Sequence, residues 1–421
     1  MSSPPPSPSA RRRGPRPVLP IRSGPAGTPI APASEPPPPL VPREWRLRID
    51  VLLLLAAVGL CACSLLALRG ATADDVPGQP NYYVERQAVY AGVGLLIMYG
   101  LSRLDYSRLR ELKYVLYGLM IGSITLVFAL ATATRGSKRW IELPFFRFQP
   151  SELGKLLLVL ALSAFIVDRS RRLGRQATAR IMVLALLPAM LVMAQPDLGT
   201  ALVYVVGTLA LLFVAGAPWR HFAALAALGA VAITFTLVAA PALGVQVLKP
   251  YQVDRLTAFL HPSDNPAKEG YQQEQSKIAI GSGEKTGRGV ENATQTSLNF
   301  LPEHHTDFIF AVVGETYGFA GCALVLSLYA LLIWRGLRIL VVAKNLYGAL
   351  IAGGITLMLL FQIFVNVGMT VGIMPITGVP APLLSFGGSS MLVTFLALGL
   401  LQSIHAQARD TAARKTRGFV H

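Results

Sequence analysis

The chain has 421 residues, 53% of them hydrophobic and only 14% charged, which leaves too little polar surface to cover a soluble fold of that size. Its formal charge of +16 would suit a nucleic-acid partner, but the 38 Lys and Arg sit between apolar runs. Loops held against an anionic lipid surface account for that placement, at about 1 kcal/mol per basic residue, so the composition excludes nucleic-acid binding and points to an integral membrane protein.

Residues 1–43 hold 15 of the 30 prolines, an Arg11-Arg12-Arg13 cluster and no signal-peptide apolar core, and are expected to be a disordered cytoplasmic tail. The membrane domain is expected over 44–407, followed by a cytoplasmic tail at 408–421. Runs long enough to cross about 30 Å of hydrocarbon fall at 49–68, 87–102, 114–133, 151–167, 181–195, 199–216, 221–243, 308–334, 347–372 and 383–405. The expected fold class is therefore an all-α polytopic membrane protein with about ten transmembrane helices. Basic residues mark alternate loops: Arg43, Arg46 and Arg48, then Arg103, Arg108, Arg110 and Lys113, then Arg169, Arg171, Arg172, Arg175 and Arg180, then Arg335, Arg338 and Lys344. That alternation places both termini in the cytoplasm. Cys61, Cys63 and Cys322 all lie in apolar stretches and read as small core residues rather than disulfides or metal ligands.

Two outward segments depart from the charge pattern. The loop 134–150 carries Arg135, Lys138, Arg139 and Arg147 on the wrong side for topology alone. With Trp140 beside them, these cations suit either a phosphate ligand or lipid headgroups. Next, Pro150 and Ser151 signal a helix start, and Glu152 and Lys155 share one face just inside the membrane. They either face a polar cavity or form a structural ion pair. Asp197 reads as a tight outer turn and helix cap. The second departure, 244–307, is a large extracytoplasmic loop between spans seven and eight, too long for an ordinary connection. Helical character and aromatic anchors over Leu248–Leu260 and Tyr271–Ile280 favour a functional loop over a linker.

That loop ends in Leu301-Pro302-Glu303-His304-His305-Thr306-Asp307-Phe308-Ile309-Phe310, a polar cluster meeting an apolar span. Desolvation there raises a carboxylate's pKa toward the range of a general base, but spacing alone favours Thr306 and Asp307 as a helix cap. Gln362 and Asn366 share a helical face, and Ser385 to Ser390 opens the last span; both sets fit a polar cavity or interhelical packing. No Gly-rich nucleotide loop, zinc spacing or G-x-S-x-G elbow is present.

Taken together, Gly136–Lys155, Gln195–Ala201, Arg255–Gly289, Leu301–Phe310 and Pro375–Ser390, in that order, resemble the RodA/FtsW family, the shape, elongation, division and sporulation (SEDS) glycosyltransferases. The resemblance runs from about residue 50 to 405. Gly378-Val379-Pro380 and Gln402-Ser403-Ile404-His405 look closer to the RodA elongation branch. Phe386 stands where members often have tyrosine, and Gly314-Glu315-Thr316 departs from the usual acidic pair.

The resemblance implies a multi-pass protein of the bacterial plasma (inner) membrane that polymerises lipid II into peptidoglycan during cell-wall elongation and shape maintenance. It also implies that Asp307 is catalytic, as base for an inverting displacement that releases undecaprenyl pyrophosphate. Arg135, Lys138, Arg139 and Lys155 are the candidate cations for the departing diphosphate, with Glu152 orienting Lys155. His305, Gln362, Asn366, Ser385 and Ser389 complete the candidate substrate-binding set. The loop 244–307 is expected to form a lid, with Asp307 at its seam with the spans. A divalent cation, Mg²⁺ or Mn²⁺, is a further expectation for a diphosphate leaving group, although the sequence shows no dedicated cage and its ligands stay unknown. The implied partners are a class B penicillin-binding protein and other cell-wall elongation proteins. Two other functions fit the same features: a lipid II flippase and a non-catalytic membrane scaffold.

Overall fold

The computed structural model of the chain describes residues 49–73, 75–130, 139–142, 146–169, 174–243, 269–297 and 300–418. The predicted tail 1–43 and the predicted helix 248–260 lie outside them.

Ten long helices stand at the positions of the ten predicted spans. They are α1 Val51–Ala71, α2 Tyr82–Ser102, α3 Lys113–Leu130, α4 Pro150–Arg169, α5 Arg175–Ala194, α6 Leu198–Val214 and α7 Trp219–Thr234. After two shorter helices among the described residues of the loop region, α8 Glu269–Ser282 and α9 Thr294–Ser297, come α10 Ile309–Val342, α11 Leu346–Val371 and α12 Gly388–Gly418. Eight helices among the described residues are long and apolar enough to cross a membrane; α6 is apolar but shorter. A two-stranded hairpin, β1 Ile141–Glu142 and β2 Arg147–Phe148, precedes α4.

The differences from expectation have local causes. The span predicted at 87–102 begins at Tyr82, because Glu85, Arg86 and Gln87 hide the first turn from an apolar count. Gln87 is fully buried, its amide donating to Ser64 Oγ (3.1 Å) and Ser385 O (3.0 Å). The last helix starts at Gly388, since 383–385 is spent on a turn with Leu383 at φ 62°, and it runs on past 407 to Gly418, into the predicted tail. Within α10 the backbone breaks at Gly318 (φ 63°, ψ −157°), a conformation that favours glycine. The segment after α8 straps onto that break, with Arg288 N donating to Glu315 O (2.9 Å) and Phe319 N to Glu284 O (2.9 Å).

Helix α4 is central: 89% of its span is buried inside the protein, against 0% for Trp219–Val238. The outer helices expose Leu96, Tyr114, Val183 and Leu228, as expected where the solvent is lipid. The core packs α2 on α12, α3 on α4, α1 on α10, and α6 and α10 on α11. At the end of the bundle where α1 begins, Asp50 caps that helix through Leu53 N (3.1 Å) and pairs with the Arg335 guanidinium (Nε–Oδ2 2.9 Å). Gln402 holds the Asp50 backbone from both sides, at 2.7 and 3.0 Å. A cleft of about 360 Å³ lined by Arg110, Lys113, Asp168 and Tyr347 opens at this same end, away from Asp307.

Candidate active site

The opposite end carries the polar cluster, and it is built first on the start of α4. Pro150 takes the first helical position, where a missing N–H costs nothing. Two residues on, Glu152 is 3% exposed and Lys155 2%, so neither charge reaches bulk water. Lys155 Nζ donates to Glu152 Oε1 (2.8 Å) and to Gln362 Oε1 (3.1 Å) on α11. Such a pair forfeits its hydration on burial, and Coulomb attraction returns that loss only with good geometry and further hydrogen bonds, which Gln362 supplies here.

Around this pair the helix starts are laced together. Gln149 Nε2 donates to Ser151 Oγ (3.2 Å) and to Asp197 Oδ2 (3.1 Å), while Asp197 Oδ1 accepts from Thr200 N (3.1 Å) as the cap of α6. The helix cap expected at Asp197 is thus present. Ser389 Oγ, at the start of α12, accepts from Gln149 N and donates to Arg147 O, both at 2.9 Å.

Asp307 stands in a tight turn ahead of α10. The amides of Thr306, Asp307 and Phe308 converge on Glu303 O at 3.2, 3.1 and 3.4 Å, with Glu303 itself at φ 55°. The N-cap position of α10 is Phe308, so Asp307 stands one residue outside it. Asn366 holds the turn from α11: its Nδ2 donates to Asp307 O (3.0 Å) and Val379 O (2.9 Å). Ser385 Oγ donates to Thr306 O (2.5 Å) and accepts from Ala381 N (2.9 Å), and Phe386 N donates to His305 O (3.0 Å). The segment 376–386 therefore brackets the turn. It comes so close to α6 that a Cβ at Gly199 would stand 2.5 Å from Thr377 O and 2.7 Å from Val379 Cγ2, which only glycine permits.

Because Gln362 and Asn366 lie one turn apart on α11, they join the Lys155 pair to the Asp307 turn along one helical face. Lys155, Glu152, Gln362, Asn366 and Asp307 are the predicted site residues that the fold brings into one file. Ser385 fastens the 376–386 segment to the Asp307 turn and Ser389 fastens the start of α12 to the strand and turn before α4, their hydroxyls committed to backbone groups. Arg139 donates to the carbonyls of Gln195 (3.2 Å) and Pro196, tying its loop to the turn between α5 and α6. Arg135 and Lys138 lie outside the described residues. The ring of His305 packs against Tyr83 (centroids 4.7 Å) and Phe386 (6.0 Å), with His304 edge-on behind it.

Two further residues support the site, neither with a role that the sequence assigns. Gln87 joins α1, α2 and the 385 turn. Glu315 is fully buried and accepts from Gln295 N (2.8 Å), Thr296 N (3.1 Å) and Thr296 Oγ1 (2.6 Å), so α10 holds α9 at its N-terminus. The available signal was a lone acid inside an apolar span, which in a membrane calls for a polar partner.

The family described as cell cycle protein (FTSW_RODA_SPOVE) matches residues 46–410. The chain is 36% identical over 364 residues to the peptidoglycan glycosyltransferase MrdB of Escherichia coli (strain K12), covering 86% of this chain and 95% of that relative. It is 34% identical over 422 residues to the peptidoglycan glycosyltransferase RodA of Treponema pallidum (strain Nichols), covering 85% and 98%. A solved chain from work on the structural coordination of polymerization and crosslinking by a peptidoglycan synthase complex superposes with TM-score 0.72 at 34% identity, over 86% of this chain and 99% of that one. The rod shape determining protein RodA of Thermus thermophilus gives TM-score 0.63 at 31% identity, over 86% and 97%.

Proposed function

This chain belongs to the RodA/FtsW (SEDS) family and is a membrane-embedded peptidoglycan glycosyltransferase, and we propose that it polymerises lipid II with Asp307 as general base. The observation that carries the reading is the buried file from Lys155 through Gln362 and Asn366 to the Asp307 turn, which sets a fixed cation and a carboxylate at one end of a lipid-facing bundle.

In the reaction we envisage, Asp307 takes the proton of the acceptor sugar's 4-hydroxyl. The freed oxygen attacks the anomeric carbon of the donor with inversion, and the bond to the diphosphate breaks as undecaprenyl pyrophosphate leaves. Negative charge gathers on the diphosphate in the transition state, where a preorganised cation contributes more than in the ground state. Lys155 supplies that charge, oriented by Glu152 and Gln362, with Arg135 and Lys138 as further cations from their loop. A Mg²⁺ or Mn²⁺ ion carried by the diphosphate would share the same task. The site end faces outward in the bacterial inner membrane with both termini cytoplasmic. A class B penicillin-binding protein crosslinks the strands, in line with a structural neighbour that belongs to a complex of polymerization and crosslinking.

The test is Asp307→Asn in purified protein given lipid II. General-base removal should lower polymer formation by about 100-fold or more while leaving the thermal transition in place. Polymer yield near wild type would remove Asp307 from the chemistry. Scrambling of labelled lipid II across vesicles without polymer would identify a flippase instead.

A further inference from the structure

Among the described residues, one group of three metal-donor side chains converges, and the mechanism above makes no use of it: Asp75, between α1 and α2, and the neighbouring His304 and His305. Asp75 Oδ2 lies 3.3 Å from His304 Nε2 and 3.9 Å from His305 Nδ1, and all three donor atoms fall within 4.8 Å of one another. Two donors held tetrahedrally at about 2.1 Å from one ion stand about 3.4 Å apart, so the Asp75–His304 separation already fits, while the Asp75–His305 pair needs to close by about 0.5 Å and the histidine pair by no more than about 1.4 Å.

A second, independent feature points the same way. His304 is 4% exposed, and its Nδ1 lies 3.0 Å from Leu301 O. A carbonyl only accepts, so Nδ1 carries the proton, and in the neutral ring Nε2 then presents a lone pair. Among the described residues that atom is buried and makes no hydrogen bond, and it lies 3.3 Å from a carboxylate oxygen that also presents lone pairs. Two electron-rich atoms held that close and largely buried repel each other unless a cation bound by both offsets the repulsion. The Nδ1–H to backbone carbonyl bond is also the arrangement that fixes the tautomer and ring orientation of metal-bound histidines.

We infer that Asp75, His304 and His305 form a binding site for a borderline divalent transition ion of the zinc type. Two imidazoles and one carboxylate suit such an ion and disfavour Mg²⁺ and Ca²⁺, which take oxygen donors. The remaining coordination is open to water. The ion clips the α1–α2 connection onto the turn 301–308, whose His305 and Thr306 carbonyls are already held by Phe386 N and Ser385 Oγ. It therefore acts two residues from Asp307 as a positioning device for that turn, and its binding is measurable without any glycosyl transfer.

The experiment uses full-length protein in detergent, purified without a polyhistidine tag, stripped with a chelator and then titrated with ZnCl₂. Wild type should retain one zinc per chain after desalting, by elemental analysis, and melt at a higher temperature with zinc than without. Co²⁺ in its place should give the visible absorption of a four- or five-coordinate ion. Asp75→Asn and His304→Gln should each weaken zinc binding at least 10-fold and abolish the zinc-dependent rise in melting temperature, with circular dichroism reporting that each variant is folded. The inference is overturned if stripped wild type retains little zinc. It is equally overturned if both folded variants hold as much as wild type, which would place the metal on unrelated surface groups. Stabilisation of wild type by acid alone, with no response to zinc or Co²⁺, would also overturn it and identify an imidazolium–carboxylate pair.

Discussion

The two ends of the bundle each bury a carboxylate beside a cation, and they do so for different ends. Asp50 is held by a guanidinium, a helix amide and two bonds from Gln402 to its backbone, all within residues that only tie α1, α10 and α12 together. Glu152 holds a lysine whose other contact is a neutral amide, Gln362, on the face that leads to Asp307. A guanidinium in a forked pair has a fixed geometry and a permanent charge, which suits a fastening. An ammonium is a compact point charge on a flexible stem, which suits the role we propose for Lys155 against a departing diphosphate. Burial of charge alone thus does not mark a functional centre; the direction in which the spare bonding capacity points does.

The sharpest way to break that comparison is Lys155→Met, which leaves Glu152 buried without its cation. It should cost about 3–5 kcal/mol in a denaturation assay and eliminate polymer formation. The double variant Glu152→Gln with Lys155→Met should recover most of the stability and none of the activity; recovery of both would make the pair as structural as the one at Asp50. At the other end, Arg335→Met is expected to destabilise by about 2–3 kcal/mol, less than a fully buried pair because Arg335 keeps an 18% exposed side chain. Its polymer yield per folded molecule should match wild type.

Smaller effects probe the frame around Asp307. Gly199→Ala forces a methyl against the Thr377 carbonyl and should cost about 1–3 kcal/mol, with turnover reduced because the shift passes through Val379 to Asn366 and the Asp307 turn. The smallest is Ser385→Ala, about 0.6 kcal/mol, the size usual for a single polar side-chain bond in a membrane protein. A thermal shift series in one detergent ranks the four single variants and the double, and a large loss of stability at Ser385 would show that the 376–386 bracket carries more of the fold than its bonds imply.

Much of this was legible in the residues. The apolar runs place all ten long helices, since a span must be apolar over its length whatever its neighbours do. Pro150, Asp197, and the Glu152 and Lys155 spacing are local signals that act within one helix turn, and each appears where local rules put it. The start of α2 was missed because Glu85, Arg86 and Gln87 break the apolar count, and the partners that make Gln87 tolerable come from α1 and the 385 turn. The role of Glu315 is illegible for the same reason: its three donors lie on a separate short helix. The assignment of Asp307 as a base rests on family resemblance, because spacing by itself favours a helix cap.

By itself, then, the sequence determined that this is a helical membrane protein, where its helices fall, and which short motifs start them, because these depend on chain-local hydrophobicity and backbone chemistry. Only the tertiary structure decided which polar residues meet. Lys155 meets Gln362, Asn366 meets the Asp307 turn, and Asp75 meets His304 across 229 positions, since contacts between distant segments are fixed by packing and not by spacing along the chain.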